Sequence, residues 1–164
     1  EGIIYEGYGP SGVAVIVETL TDNRNRTAGD LRHYFDKFGG NLGQNGCVSW
    51  MFQEKGVIVI EKAADVDEDK LMEDALEAGA VDVNSDDEVF EIFTEPNDLH
   101  NVRVALEAKK YNIISAEDER IPSNYVHLDN EDDIKHMNLL LEALEDDDDV
   151  QHVWHNWENE GEEN

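Results

Sequence analysis

The fold turns on residues 57–116, which contain Val57-Ile58-Val59-Ile60, a periodic stretch from Asp67 to Ala78, Val81-Asp82-Val83, Val89-Phe90-Glu91-Ile92-Phe93, a second periodic stretch opened by Pro96, and Tyr111-Asn112-Ile113-Ile114-Ser115-Ala116. The first of these is a β-branched run of strand length. From 67 to 78, Leu71, Ala75 and Leu76 recur at helical spacing as an inward face, and Gly79 supplies the stop. Residues 81–83 read as a strand, Ser85-Asp86-Asp87 as a polar turn and 89–93 as a strand. Pro96, at a first helical turn, starts a helix whose inward residues are Leu99, Val102, Val104 and Leu106, with Ala105 beside them. Residues 111–116 begin the last strand. The order βαββαβ over about 65 residues is the split βαβ sandwich of ferredoxin-like domains.

On the N-terminal side, Ile3 to Tyr8 reads as a strand and Gly9-Pro10-Ser11-Gly12 as a turn. Val13 to Leu20 is nearly continuous and β-branched, as in a central strand buried on both faces. These two strands make a hairpin. Thr27 reads as an N-cap with Asp30 three residues on, followed by Leu31, Tyr34, Phe35 and Phe38 at helical spacing and a Gly39-Gly40 stop. The Gly/Asn-rich stretch 41–46 leads to Val48-Ser49-Trp50-Met51-Phe52, a further strand. On the C-terminal side, Tyr125 to Leu128 is extended, and Asp129 or Asn130 caps a helix carrying Ile134, Met137, Leu140, Leu141 and Leu144. Residues 150–157 then alternate as a strand. The expected class is α+β in two domains. A ferredoxin-like βαββαβ domain at 56–122 is inserted into a second, discontinuous α+β domain made of 1–55 plus 123–157, and an acidic, frayed tail follows at 158–164.

The chain has 164 residues, with 12 Lys+Arg against 40 Asp+Glu, a formal charge of −28. Hydrophobic residues make up 40% in periodic blocks, which argues for folded domains rather than disorder. No run reaches the ~20 apolar residues of a membrane span, and the opening residues lack a signal-peptide pattern. The single Cys47 leaves no intrachain disulfide and no four-cysteine zinc site. These features point to a cytoplasmic protein with no membrane partner. The chain opens on Glu1 rather than Met, as a fragment or trimmed product would. So anionic a surface repels phosphate backbones over most of its area, and any nucleic-acid contact is local.

Catalytic and metal motifs fail one by one. Gly7-Tyr8-Gly9-Pro10-Ser11-Gly12 matches G-x-G-x-x-G but opens a strand, whereas the dinucleotide fingerprint opens a helix. Asp65-x-Asp67-x-Asp69 starts like a calcium loop, yet Lys70 and Leu76 stand where Gly and Glu are required. Glu145 to Asp149 lies at a helix C-terminus and reads as a solvated turn. His152 and His155 sit three apart on a strand, on opposite faces, and His33 has no ligand-spaced carboxylate. Cys47 reads as a small buried hydrophobe. The expectation is no enzyme, no cofactor and no metal.

What remains is cationic. Asn23, Arg24, Asn25, Arg26 and Thr27, continuing into Arg32 and Lys37, hold a third of all basic residues in a 14-residue window. Arginine forks and Asn amides at a helix N-terminus suit phosphate or sugar contacts. The same arginines could equally pair with Asp22, Asp30 and Asp36 and hold the turn.

Tyr5 to Val15, Leu20-Thr21-Asp22-Asn23-Arg24-Asn25-Arg26-Thr27, Gly39-Gly40-Asn41-Leu42-Gly43, Glu77-Ala78-Gly79-Ala80 and Asp149 to Asn156 closely resemble the YebC/PmpR family over nearly the whole chain. The resemblance implies a ferredoxin-like domain inserted in a second α+β domain. It further implies an N-terminal three-helix domain rich in Lys and Arg, absent from this sequence, to which most of the family's nucleic-acid affinity is ascribed. Family members are described as transcriptional regulators that bind promoter DNA. Others are similar to translation factors acting on ribosomal RNA, a mitochondrial translational activator among them. By that resemblance Arg24-Asn25-Arg26-Thr27 falls at the nucleic-acid contact. With a charge of −28 the chain by itself is expected to bind nucleic acid weakly. A protein-interaction module that binds no nucleic acid is the remaining alternative, since ferredoxin-like sheets serve many unrelated roles.

Overall fold

The computed structural model describes residues 1–160. The chain divides into two compact units, one of residues 1–53 and 122–164, the other of residues 54–121.

In the discontinuous unit, β1 (Gly2–Tyr8) and β2 (Ala14–Leu20) form an antiparallel hairpin in which Glu6 lies opposite Ile16. A short β3 (Asn41–Leu42) pairs with β1, and β8 (Val150–His155) pairs with β2, so the order is β3-β1-β2-β8. Strand β2 is central, which is why its apolar run is continuous: Val15 and Val17 enter one core and Ala14 and Ile16 the other. The first core is closed by α1 (Arg24–Lys37) through Leu31 and Phe35, and by α4 (Glu131–Asp146) through Ile134, Met137, Leu140, Leu141 and Leu144. Asn130 caps α4, its side chain accepting from the N–H groups of Asp132 and Asp133.

In the continuous unit, β4 (Phe52–Glu61), α2 (Glu68–Ala78), β5 (Asp82–Ser85), β6 (Val89–Thr94), α3 (Leu99–Ala108) and β7 (Ile113–Pro122) follow in order. The sheet order β5-β6-β4-β7 places the first strand of this unit between its third and fourth, the arrangement of a ferredoxin-like sheet. Ile58 opposite Ile92 and Ile60 opposite Phe90 share the face that meets Leu71 and Ala75 of α2 and Val102 and Leu106 of α3. Asp67 caps α2, and Gly79 ends it in the left-handed region.

Five local expectations are corrected. Residues 48–51 are not a strand: Ser49–Met51 is a 3-10 turn, because a side chain from β1 captures the N–H groups of Val48 and Ser49. The strand expected from Val57 begins at Phe52 and runs unbroken through Gly56, where a Cβ would meet Thr94 Oγ1 and Leu99, so close packing sets that glycine. Helix α1 is capped by Asn23 rather than Thr27, so Arg24, Asn25 and Arg26 form its first turn. Leu76 and Val104 are half-exposed: at 100° per residue they lie about 140° from Leu71 and about 160° from Val102, off the core face. Residues 158–160 of the tail form a turn rather than fraying. Asn159 is buried, donating to the carbonyl of Leu128 and accepting from the N–H of Leu128 and the indole of Trp157. The rest of the expected acidic tail lies outside the described residues.

Candidate nucleic-acid interface

The N-terminus of α1 follows directly from the end of β2, and a buried polar cluster fixes that junction. Thr21 Oγ1 accepts from the N–H of Asn23 at 2.9 Å, and Asn23 Oδ1 accepts from the N–H of Arg26 at 3.1 Å. Asn is among the strongest N-caps, which is why it takes the position from Thr27 four residues on. Thr27 is fully buried in the first turns of the helix. Its hydroxyl lies 2.8 Å from that of Thr21 and donates to Asp149 Oδ2 at 2.8 Å.

Asp149 also receives Arg26 Nη2 at 3.0 Å, while Asp22 Oδ1 lies 3.3 Å from the same nitrogen. The Arg26 hydrogen bond, followed by that of Thr27, holds the Asp149 carboxyl below the usual aspartate range. The same contact raises Arg26 above its ordinary value. The acidic run is therefore not simply a solvated turn. Asp149 braces the start of α1, and Asp147 Oδ2 accepts from Tyr34 OH at 2.9 Å further along it. Burial and that bond push Tyr34 up to about 12.

A stability prediction follows from this cluster. Thr27→Val keeps shape but leaves Asp149 short of a donor, and is expected to cost about 1–2 kcal/mol in urea unfolding. Because the Asp149 carboxyl is depressed in the folded state, its contribution is complete above the unfolded pKa of about 3.9 and is lost as pH falls through the folded value. Asp149→Asn should accordingly flatten the acid limb of the stability profile.

The other cations spread around the helix. Arg24 is exposed, with Nη1 3.7 Å from Glu1 Oε2. Asn25 and Arg32 are exposed, and Arg32 has no carboxylate within 4 Å among the described residues. Lys37 Nζ lies 5.4 Å from the centroid of the Phe38 ring. At 100° per residue, Arg26 and Arg32 are about 120° apart around α1, and Arg32 and Lys37 about 140°. Asp30 and Asp36 are interleaved among them. The seven residues thus share one helix and its cap, with only Asn23 to Thr27 gathered at one end. Sequence proximity overstated the patch because consecutive helical residues point in different directions.

Among the described residues no group of three or more His, Cys, Asp or Glu side chains could hold a metal ion, and no helix is long and apolar enough to cross a membrane. His152 pairs with Glu18 and His155 with Glu160. Cys47 is half-buried, its thiol pushed up by burial and then by the neighbouring Glu6 carboxylate. Sequence reading missed two features. One is Glu6, a buried carboxylate on an otherwise apolar face; the other is a second concentration of cations, Lys70, Lys109 and Lys110, drawn from two separated segments.

Comparison with known proteins places this geometry. A profile described as the TACO1/YebC second and third domain matches residues 1–157. A protein of Caldicellulosiruptor bescii named "Probable transcriptional regulatory protein" is 59% identical over 99% of this chain and 66% of its own length. A protein of Ruminiclostridium cellulolyticum with the same name is 63% identical over 99% of this chain and 65% of its own length. The chain thus spans about two thirds of the length of these curated relatives. The crystal structure of a conserved hypothetical protein, Aq1575 from Aquifex aeolicus, is 46% identical and superimposes with a TM-score of 0.84 over 96% of this chain and 65% of that one. With a profile match over nearly its whole length and relatives this similar, the chain belongs to the TACO1/YebC family.

Proposed function

We propose that this chain is part of a cytoplasmic transcriptional regulator, without catalytic activity or cofactor, that presents the first turn of α1 to the sugar-phosphate backbone of promoter DNA. The observation that carries the reading is the pair of half-exposed guanidinium groups, Arg24 and Arg26, on a helix start whose cap is held rigidly by Thr21, Thr27 and Asp149. Donors at a helix N-terminus and the helix dipole favour the same anion. The names of the relatives support regulation as the context. The charge of −28 limits any contact to a local cationic patch such as this one.

The expected result is graded. By fluorescence anisotropy at ~150 mM salt, the chain alone binds duplex DNA more weakly than about 1 μM, as non-specific binders do. A protein of the relatives' full length prefers its promoter fragment over scrambled duplex by at least about 10³. In that protein, Arg24→Glu with Arg26→Glu lowers affinity about tenfold or more and reduces the salt slope by about 2. Equal affinity for scrambled duplex overturns the reading.

One observation favours ribosomal RNA as a second reading. Asp30, partly buried, and Asp36, exposed, lie about 120° apart around α1 and put negative charge on two of its sides, which disfavours laying the helix along a phosphate-lined groove and leaves its first turn for contact. Backbone contact without base edges is how folded RNA is commonly recognised. Crosslinking the longer protein in cells and sequencing the bound nucleic acid separates promoter DNA from ribosomal RNA.

A further inference from the structure

The ferredoxin-like unit contains a hollow of about 320 Å³ between the segment that follows β4 and the segment that precedes β7. It lies at the small end of ligand pockets, which run from about 300 to 1,000 Å³. The segment before β7 contributes Lys109 and Lys110, and Lys70 adds a third cation from the first turn of α2, three of only 12 basic residues in the chain. The segment after β4 contributes Asp65 and Asp67, with Glu61 at the end of β4.

A buried carboxylate organises these cations. Asp74, at 5% exposure, accepts from Tyr111 OH at 2.7 Å and has Lys109 Nζ at 3.4 Å and Lys70 Nζ at 4.0 Å. These contacts gather both ammonium groups around one carboxylate, and Tyr111 is part of the lining. Burial, then the bond to Asp74, push Tyr111 up to about 12, so its hydroxyl remains a donor. Lys110 follows α3 in the left-handed region, with φ of 73°. Its side chain is exposed and has no carboxylate within 4 Å among the described residues, so it is accessible to a ligand. Glu61 accepts from Asn112 Nδ2 at 3.3 Å, Asp67 accepts from the N–H groups of Asp69 and Lys70 as the cap of α2, and Asp65 has no hydrogen-bond partner among the described residues. Val66 adds an apolar surface.

Charges of both signs, the acids mostly on one segment and two of the lysines on the other, select against a polyanion, which Glu61, Asp65 and Asp67 repel, and against a metal ion, which the lysines repel. They match a small molecule bearing a carboxylate at one end and an ammonium at the other. We infer that this hollow binds a free α-amino acid, its carboxylate at Lys110 and Lys109 and its ammonium at Asp65 and Glu61. The inference does not rest on the nucleic-acid reading, since its readout involves no nucleic acid.

The test is an NMR titration of the whole chain, labelled with nitrogen-15, against each of the twenty L-amino acids at up to about 10 mM. A ligand of this size in an open pocket is expected to bind with a Kd of about 0.1–1 mM. At least one amino acid should give saturable shifts centred on residues 61–70 and 109–112. Its N-acetyl derivative and its methyl ester should each bind at least about tenfold more weakly, because each removes one charge. Lys110→Glu and Asp65→Asn, both surface changes, should weaken binding by about tenfold while leaving the remaining spectrum in place. No saturable shift from any of the twenty, shifts centred elsewhere, or a response to inorganic phosphate or magnesium in their stead overturns the proposal.

Discussion

Gly40→Ala is expected to destabilise the discontinuous unit by at least about 3 kcal/mol and to leave little folded protein at 37 °C. Helix α1 is capped at Phe38, Gly39 turns left-handed with φ of 84°, and the chain doubles back so that Asn41 pairs with Tyr8 on β1. At that crossing two backbones touch. A Cβ on Gly40 would overlap the Tyr8 carbonyl oxygen and stand 2.9 Å from Gly9 Cα. Those are main-chain atoms of the hairpin, so no rotamer change relieves the overlap; either β3 separates from β1 or α1 tilts off the core containing Leu31 and Phe35. The control is Gly29→Ala on the same helix, where an added methyl would meet nothing within 4 Å. That change should stabilise by about 0.5–1 kcal/mol through helix propensity. Urea unfolding of the two variants, one losing and one gaining, checks the pair; equal effects would sink the argument.

The second large effect concerns Glu6. It lies on β1 opposite Ile16, facing a small core with Ala14 and Val48, at 6% exposure. One oxygen accepts from the N–H groups of Val48 at 3.0 Å and Ser49 at 2.7 Å, and the other from Gly46 at 2.7 Å. The carboxylate thereby shapes the segment 43–49, which has no ladder of its own to satisfy these donors. Burial by itself would push the Glu6 carboxyl up, but the three backbone donors outweigh it and hold it below the ordinary glutamate value.

Glu6→Ala leaves three donors unpaired and is expected to cost roughly 4 kcal/mol. Glu6→Gln keeps an acceptor for Val48 and Ser49 but turns a donor towards the Gly46 N–H, at roughly 2 kcal/mol. Since the folded pKa is depressed, the native stabilisation is complete above the unfolded value of about 4.3 and disappears as pH falls through the folded value. The stability gap between native protein and Glu6→Gln should therefore be constant from neutral pH to about 5 and shrink below 4. A gap that persists at pH 2 would show that packing, not ionised hydrogen bonding, carries the effect.

Glu6 and Gly40 also mark the limit of what was legible in the sequence. Helices α2, α3 and α4 and strands β1, β2, β4 and β6 announce themselves by apolar period, capping residue and stop, because those signals are local. The Val48 to Phe52 stretch misled for the opposite reason. Its strand propensity is real, but the partner that overrides it, Glu6, is some forty residues away in sequence. Thr27 misled in part for the same reason: Asn23, four residues earlier, is the stronger cap, and the buried place of Thr27 inside the helix is completed by Asp149, which no local pattern connects to it. At the candidate interface, the cluster Asn23 to Thr27 was visible as a charge anomaly. Its bracing, and the scatter of Arg32 and Lys37 around the helix, were not. The lysine hollow left no signal at all, since Lys70 and Lys109 are brought together only by closure of the βαββαβ unit.

The α+β class, the ferredoxin-like order of elements, the anionic surface and the family could all be read from the residues in order, since each is encoded in local periodicity, composition or contiguous words. Where each lone charge goes was settled by the folded chain: Glu6 onto loop amides, Asp149 onto α1, Asp74 beneath two lysines. A carboxylate drawn out of water must find its donors wherever the fold brings them, and with 40 acids in the chain nothing in the sequence singles out Glu6, Asp74 and Asp149.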